Sequence, residues 1–408
     1  MKNLHIIIAL TAIMSIAGCQ AQGPSFTMLT RGRATVSPKY AAQIDSLIND
    51  GITRRAMPGC RVLAVKDQNI IFDKSYGHLT YDSLQRVNDS TIYDIASVTK
   101  VAASSLLLMK LYDDHKIDLD KKLCYYFPGF TDNGATLRDA LAHQAGLKSW
   151  IDIKRLEPGL SRQLANDPEH YDAARAREII LDTIKKQPLN EPGEYLYSDL
   201  SFYYYPLLTQ RFYGMDYVDF LNAWFYNPLG IKPLFNPLTK YPKSRIAPTE
   251  RDTIWRKCLI QGTVHDEAAA MMGGVSGHAG LFATAYDMAV IMQMILSGGE
   301  YGGIQFIRPE TVRIFTSQAF EGNRRGLVFD KPVIDTTLNG TPSRKASYES
   351  FGHTGFTGTF VWADPKNNLI LIFLCNSVHP NRSFMITRLD LRTKLHDIFY
   401  ADNLTEKK

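Results

Sequence analysis

The sequence predicts an α+β fold in which the two chain ends together build one antiparallel sheet with flanking helices, and a mainly helical lobe is inserted between them. Strand-type runs cluster at about 38–95 and again at 350–408. Between them, over about 96–345, apolar residues recur at helical spacing, and Pro-rich loops such as 227–248 separate the segments. With 408 residues, 45% hydrophobic and 21% charged, the chain can bury a sizeable core.

The chain begins with Lys2 and an apolar stretch from Leu4 to Ile16. A membrane-spanning helix needs about 20 apolar residues, so this shorter run reads as a secretory signal. It ends in Ile16-Ala17-Gly18-Cys19, which resembles a bacterial lipobox. Residues 1–18 are therefore expected to be removed as a signal peptide and Cys19 to carry the lipid; cleavage near Ala21, with loss of Cys19, is the alternative. No acidic cluster follows Gln20, which favours the periplasmic face of an outer membrane, with the membrane as partner through the lipid anchor. Residues 19–37, with Gly23, Pro24 and Ser25 and no period, read as a tether to a domain spanning 38–408.

That domain opens with a helix over 40–52, where Ile44, Leu47 and Ile48 recur at helical spacing. Pro58-Gly59 breaks it, and the runs 60–65 and 69–72 form a β-hairpin. Helices are expected over 98–113, 137–143, 173–185, 199–211, 217–224 and 286–296. Strands return at 358–363 and 369–375, turned by Asp364-Pro365-Lys366-Asn367-Asn368, and a last helix is expected over 383–400.

A net charge of +5 is too mild to name a partner, and no Lys/Arg run is interleaved with aromatics, so nucleic-acid binding gains no support. Beyond Cys19, the cysteines Cys60, Cys124, Cys258 and Cys375 are widely spaced and form no Cys-x-x-Cys pair. Export permits disulfides, while apolar surroundings favour buried thiols.

The sharpest stretch is 93–100, Tyr-Asp-Ile-Ala-Ser-Val-Thr-Lys, which opens the strongly apolar helix 101–111. Ser97 and Lys100, three apart, share a helix face. Ser97 lies near the helix start, where free backbone N–H groups favour developing negative charge. A serine hydroxyl becomes a good nucleophile once a base takes its proton, and a lysine whose pKa is lowered by burial can do so. Alone, this spacing equally describes a helix cap followed by a solvated lysine.

Two further segments follow in order: Tyr197-Ser198-Asp199 after Pro192-Gly193, and His353-Thr354-Gly355 before the last strands. Ser-x-x-Lys, Tyr-x-Asn and Lys-Thr-Gly in this order mark the class C β-lactamase, DD-peptidase and esterase superfamily of serine hydrolases, which this chain resembles from about 58 to 376. The segments 141–147 and 277–284 are also similar. The resemblance implies a β-lactamase/transpeptidase-like fold, with Ser97 forming an acyl-enzyme and Lys100 and Tyr197 sharing the proton work. It also implies an oxyanion hole from the backbone N–H groups of Ser97 and Phe356, substrate contacts at Asp199, His353, Thr354 and Gly355, and no metal or organic cofactor.

Two departures stand out. Asp199 stands where the family often has Asn. A carboxylate cannot donate to a substrate carbonyl, and it would favour the ammonium form of Lys100, which shifts the base role towards Tyr197. His353 stands where β-lactamases have a permanently cationic Lys. Both argue against efficient β-lactam hydrolysis. His265, Asp266 and Glu267, beside His278 and His353, invite a metal reading, but they lack zinc-ligand spacing, and a hydrogen-bonded loop lining the cleft is expected instead. Trp150, Trp224 and Trp255 belong either to the substrate wall or to the core. The sequence thus points to hydrolysis of a carboxylic ester or peptide-like amide, with small molecules or peptidoglycan fragments as substrates. The competing class is a penicillin-binding or acyl-trapping sensor, or a true β-lactamase.

Overall fold

The computed structural model describes residues 27–333 and 342–407. The expected signal peptide and Cys19 lie outside the described residues. The expected tether does not extend to 37. Thr30–Arg31 is a strand paired in parallel with Asn69 and Ile70, and Ala34–Val36 pairs antiparallel with Thr405–Lys407. The buried Asn69 side chain adds to this pairing: its amide donates to the Ala34 carbonyl at 2.9 Å and accepts from the Arg33 N–H at 3.3 Å. Strands of two and three residues, held by backbone pairing and one polar side chain, are too short to leave a hydrophobic period to read.

The central sheet has six strands in the order Thr30–Arg31, Asn69–Gly77, Gly59–Lys66, Leu369–Cys375, Phe360–Asp364, Phe351–Thr354. Every neighbouring pair is antiparallel except the first, a parallel edge that the sequence reading did not include. Both faces are covered, so the strands read as continuous apolar runs rather than alternating ones. Val62, Ala64, Trp362 and Leu371 point to one face, against Ile44 and Ile48 of the helix Pro38–Thr53 and Leu395 of the helix Leu391–Ile398. Their alternates Leu63, Val65, Val361 and Ile372 point to the other, against Met288, Ile291 and Ile295 of the helix Ala285–Leu296. That helix therefore lines the sheet, and its core is continuous with the helical lobe.

At the centre of the lobe lies the helix Ser105–Asp113, preceded by a buried π-helical turn, Lys100–Ser104. Its apolar surface has no exposed side because other helices surround it. A three-stranded sheet of Tyr93–Asp94, Leu281–Ala283 and Leu234–Phe235 also lies in the lobe, with strands too short to show a period of two. Besides the irregular start of the helix expected over 98–113, two other expected helices are broken. Instead of one helix over 199–211 there is a 3₁₀ turn, Leu200–Tyr203, then a helix Leu207–Tyr213, because Pro206 has no N–H to continue the ladder. The helix expected over 383–400 divides into Met385–Arg388 and Leu391–Ile398, with Asp390 at φ 50° between them. On a straight helix, at about 100° per residue, buried Ile386 and Leu391 would point far apart; the break turns both into one core.

Cys60, Cys124, Cys258 and Cys375 are all free thiols, Cys60 and Cys375 buried. Among the described residues no helix is long and apolar enough to cross a membrane. Burial pushes the imidazole of His396, packed against Phe360 and Tyr400, down to about 3. In the unfolded chain this ring takes its proton near pH 6.5. The unfolded state therefore binds the extra proton as pH falls below 6.5. Stability should be undiminished above that pH and should drop progressively towards pH 3, by about 2 kcal/mol at pH 5 from this residue. Urea denaturation of wild type and His396→Gln between pH 7 and 4 checks this; the variant is expected to have the flatter profile.

Candidate active site

Ser97 lies in a 3₁₀ turn, Ala96–Val98, directly before the π-helical turn that carries Lys100. The expected regular helix is thus replaced by a tight turn and then a wide one, yet the two side chains meet. Lys100 Nζ lies 3.0 Å from Ser97 Oγ and also donates to the His278 carbonyl at 3.1 Å. Tyr197 donates its hydroxyl to Ser97 Oγ at 3.0 Å. The three side chains that the motifs single out, from positions 97, 100 and 197, therefore converge on one oxygen.

The turn is held by Asp94, which the sequence reading did not single out. One of its carboxylate oxygens accepts from the Ala96 N–H at 2.9 Å, the other from the His265 N–H at 2.7 Å. Ala96, directly before the nucleophile, sits at φ 47°, a region that non-glycine residues rarely occupy. Across from it, Thr357 and Thr359 donate their hydroxyls to the Asp94 and Ile95 carbonyls at 2.8 and 3.1 Å. These bonds stitch the segment 355–359 alongside the nucleophile turn. Gly355 is required there: a Cβ would lie 2.6 Å from the Ile95 carbonyl oxygen. Among the described residues the Phe356 N–H donates to no protein group, and the exposed Phe356 ring lines the cleft beside Ser97.

Asp199 lies 2.6 Å from Lys100 Nζ, so the carboxylate at the Asn position is an ion-pair partner of the buried lysine. Burial alone would lower the Lys100 pKa. Asp199 and Tyr197 outweigh it and hold the pKa above the ordinary value, keeping the amine an ammonium. Burial and Asp199 likewise raise the Tyr197 pKa, while Lys100 and Arg325 pull it back. Asp199→Asn is expected to lower both, so the acidic limb of the pH–rate profile should move to lower pH; nitrophenyl acetate turnover from pH 5 to 10 measures it.

His353 does not face the cleft. It is buried, its Nδ1 donates to the Thr354 carbonyl at 2.7 Å, and its ring centroid is 6.0 Å from that of Tyr197. Burial, with Arg325 and Lys100 nearby, holds its pKa well below the usual value. The histidine motif thus brings no charge. Nor do the histidines of the metal reading converge. His265 pairs with Glu250 at 2.9 Å and His278 with Asp266 at 3.0 Å, while His353 turns to the neighbouring Thr354 carbonyl. Among the described residues no group of three or more His, Cys, Asp and Glu side chains is placed to hold a metal ion. Burial would raise the Asp266 pKa, but His278 outweighs it and holds it far below the carboxylate range. The His278 ring stacks on Tyr203 at 4.1 Å, which fixes the carbonyl that receives Lys100.

These residues open on a cleft of 450 Å³. Its far wall carries Asp152, Lys154, Glu267 and Arg382, with Trp150 exposed at its mouth. Glu267 bridges Lys154 and Arg382 at 3.2 and 2.9 Å. Trp255 instead donates its indole N–H to the Ser161 carbonyl, and Trp224 sits under Lys110. A larger cavity of 530 Å³, near Tyr112, Lys116 and Arg308, contains none of the motif residues.

A serine flanked by a lysine and a tyrosine, where a two-ended sheet meets a helical lobe, defines a serine hydrolase of the β-lactamase/transpeptidase fold. The chain belongs to the beta-lactamase family, whose model matches residues 44–393. It is 30% identical over 417 residues to a protein of Escherichia coli (strain K12) named "Putative D-alanyl-D-alanine carboxypeptidase", covering 93% of this chain and 92% of that one. A protein of Salmonella typhimurium with the same name is 30% identical over 405 residues, covering 92% and 91%. Among solved structures it resembles EstCE1, a hydrolase with promiscuous acyltransferase activity, at TM-score 0.66 and 19% identity, covering 89% of this chain and 98% of that one. It also resembles a penicillin-binding protein homolog from Caulobacter crescentus at TM-score 0.63 and 20% identity, with the same coverage.

Proposed function

We propose that this serine hydrolase works through a Ser97 acyl-enzyme and cleaves peptide-like amides of cell-wall fragments. The observation that carries the mechanism is the pair of 3.0 Å contacts that Lys100 and Tyr197 make to Ser97 Oγ. The two titrate as a unit. When the pair loses one proton, Asp199 keeps the remaining one on Lys100, so the Tyr197 oxygen is the acceptor. Ser97 Oγ then attacks the carbonyl carbon while its proton passes to Tyr197, and the oxyanion is received by the Ser97 and Phe356 N–H groups. Each such donor contributes about 2.7–4 kcal/mol to transition-state binding. Tyr197 returns the proton to the leaving amine, and the C–N bond breaks. Water then attacks the ester carbonyl carbon and gives its proton to the same oxygen. Tyr197 passes that proton to Ser97 Oγ as the C–O ester bond breaks, which releases the acid and regenerates Ser97.

The substrate reading is supported by the carboxypeptidase names of the Escherichia coli and Salmonella relatives and by a cleft wall bearing both charges. One observation favours small esters as a second reading: the strand motif presents neutral, buried His353 rather than a cation that would grip a substrate carboxylate. Purified muropeptides and nitrophenyl acetate, followed by mass spectrometry and absorbance, separate the readings. Release of a terminal amino acid supports the peptidase; turnover of the ester alone supports the esterase. A single stable acyl adduct with no turnover would convert the protein into an acyl-trapping sensor. We also propose export, with Cys19 lipidated at the outer membrane; palmitate labelling lost in Cys19→Ala tests it.

A further inference from the structure

Tyr197 is enclosed by four side chains from four parts of the chain. The His143 ring lies 4.5 Å away, Lys100 Nζ 5.3 Å, the Arg325 guanidinium 5.1 Å, and the His353 ring 6.0 Å. Asp199 also faces it electrostatically. Both imidazoles are buried and held neutral, by desolvation first and then by Arg325 and Lys100. The positive charges at this ring are therefore Lys100 and Arg325. Lys100 is largely offset by Asp199 at 2.6 Å. Arg325 is not so closely matched: its carboxylate neighbour Asp330 stands at 3.7 Å and is already gripped in two-pronged fashion by Arg324, at 3.0 and 2.6 Å.

Arg325 is placed with care for a residue that lines no part of the cleft. It is 3% exposed. Its Nε and Nη2 both donate to the Tyr195 hydroxyl at 3.3 Å, and its Nη1 has no partner among the described residues. Arg325 bridges antiparallel to Asp330, and the turn 323–330 that carries it is bolted on two sides. Asp330 exchanges backbone hydrogen bonds with Gly352, beside His353. Asn323 donates to the Ala142 carbonyl and the Gln144 side chain, flanking His143, whose Nδ1 accepts from the Ser198 N–H next to Tyr197.

We propose that Arg325 is a positioning residue of this hydrolase: its guanidinium clamps the Tyr197 ring and supplies the positive charge that stabilises the Tyr197 oxygen as it takes the Ser97 proton. It stands in electrostatically for the cation that neutral His353 does not provide. The inference rests on the proposed role of Tyr197 as proton acceptor.

The test compares wild type with Arg325→Met and Arg325→Lys on nitrophenyl acetate across pH. The Met variant keeps Asp330 paired through Arg324, so it leaves no unpaired buried charge. Its kcat is expected to fall about 10- to 10²-fold, with KM little changed and the acidic limb displaced to higher pH. The Lys variant should restore the limb and part of kcat. If Arg325→Met does not fold, Asp330→Asn serves instead: removing the anion beside Arg325 should displace the limb to lower pH. A profile that overlays wild type in the folded variants, or a rise in KM with kcat unchanged, overturns the inference. If wild type turns over no ester, or Tyr197→Phe keeps full activity, the underlying mechanism fails. An unchanged limb in Arg325→Met, beside an active wild type and an impaired Tyr197→Phe, sinks only the role of Arg325.

Discussion

Replacing Ser97 by alanine is expected to lower ester turnover by about 10⁴-fold or more, with the folded structure intact. A loss of this size is typical of removing the nucleophile from a unit of cooperating groups. The structure explains why little else should change. Lys100 keeps Asp199 at 2.6 Å and the His278 carbonyl at 3.1 Å after the hydroxyl is gone. The turn itself is held by Asp94 and by Thr357 and Thr359, not by the Ser97 side chain. Thermal unfolding should therefore stay close to wild type while labelling by a fluorophosphonate probe disappears. Retention of wild-type turnover, or labelling at another residue, would place the chemistry elsewhere in the chain.

What the sequence revealed and what it hid follow a physical division. Ser97, Lys100 and Tyr197 were legible because each lies in a short motif whose residue types have a chemical reason to occur together. The hairpin 59–77 and the strand 369–375 were legible because their apolar runs are bounded by turn residues. Asp94, His278 and Arg325 were not. Asp94 acts on a backbone N–H two residues away and on another 171 residues away. His278 offers Lys100 its carbonyl, which any residue possesses. Arg325 reaches Tyr197 from 128 residues further along, with no spacing to betray it. The segment 277–284 was visible as a likeness to the family; the structure gives one physical reason for it, since a Cβ on Gly277 would lie 2.3 Å from the Phe202 carbonyl oxygen. The reading of 264–267 as a hydrogen-bonded cleft wall corresponds to His265, Asp266 and Glu267, all lining the cleft. His353 was placed among the substrate contacts because its motif is one. Its burial, set by the strand pairing of Phe351–Thr354, turns it instead towards Tyr197.

Tyr197→Phe is expected to lower kcat by about 10²-fold or more, the usual scale of a lost general base. The substitution removes one oxygen and leaves the ring, which His143 and Arg325 continue to hold. Fold and cleft shape should therefore persist, and KM should change little. The size of the loss discriminates between the two candidate bases. If Lys100 accepted the proton, the phenol would serve mainly as a donor to Ser97 Oγ, and its removal would cost the modest amount of one hydrogen bond. The 2.6 Å ion pair with Asp199 argues the other way, since taking the Ser97 proton as an amine would require Lys100 first to surrender that charge in a buried setting. Pre-steady-state measurement sharpens the distinction. A phenol that serves both acylation and deacylation should slow the burst and the steady state together when lost. A full-size burst followed by a slow steady state would assign Tyr197 to deacylation alone and return the first proton transfer to Lys100.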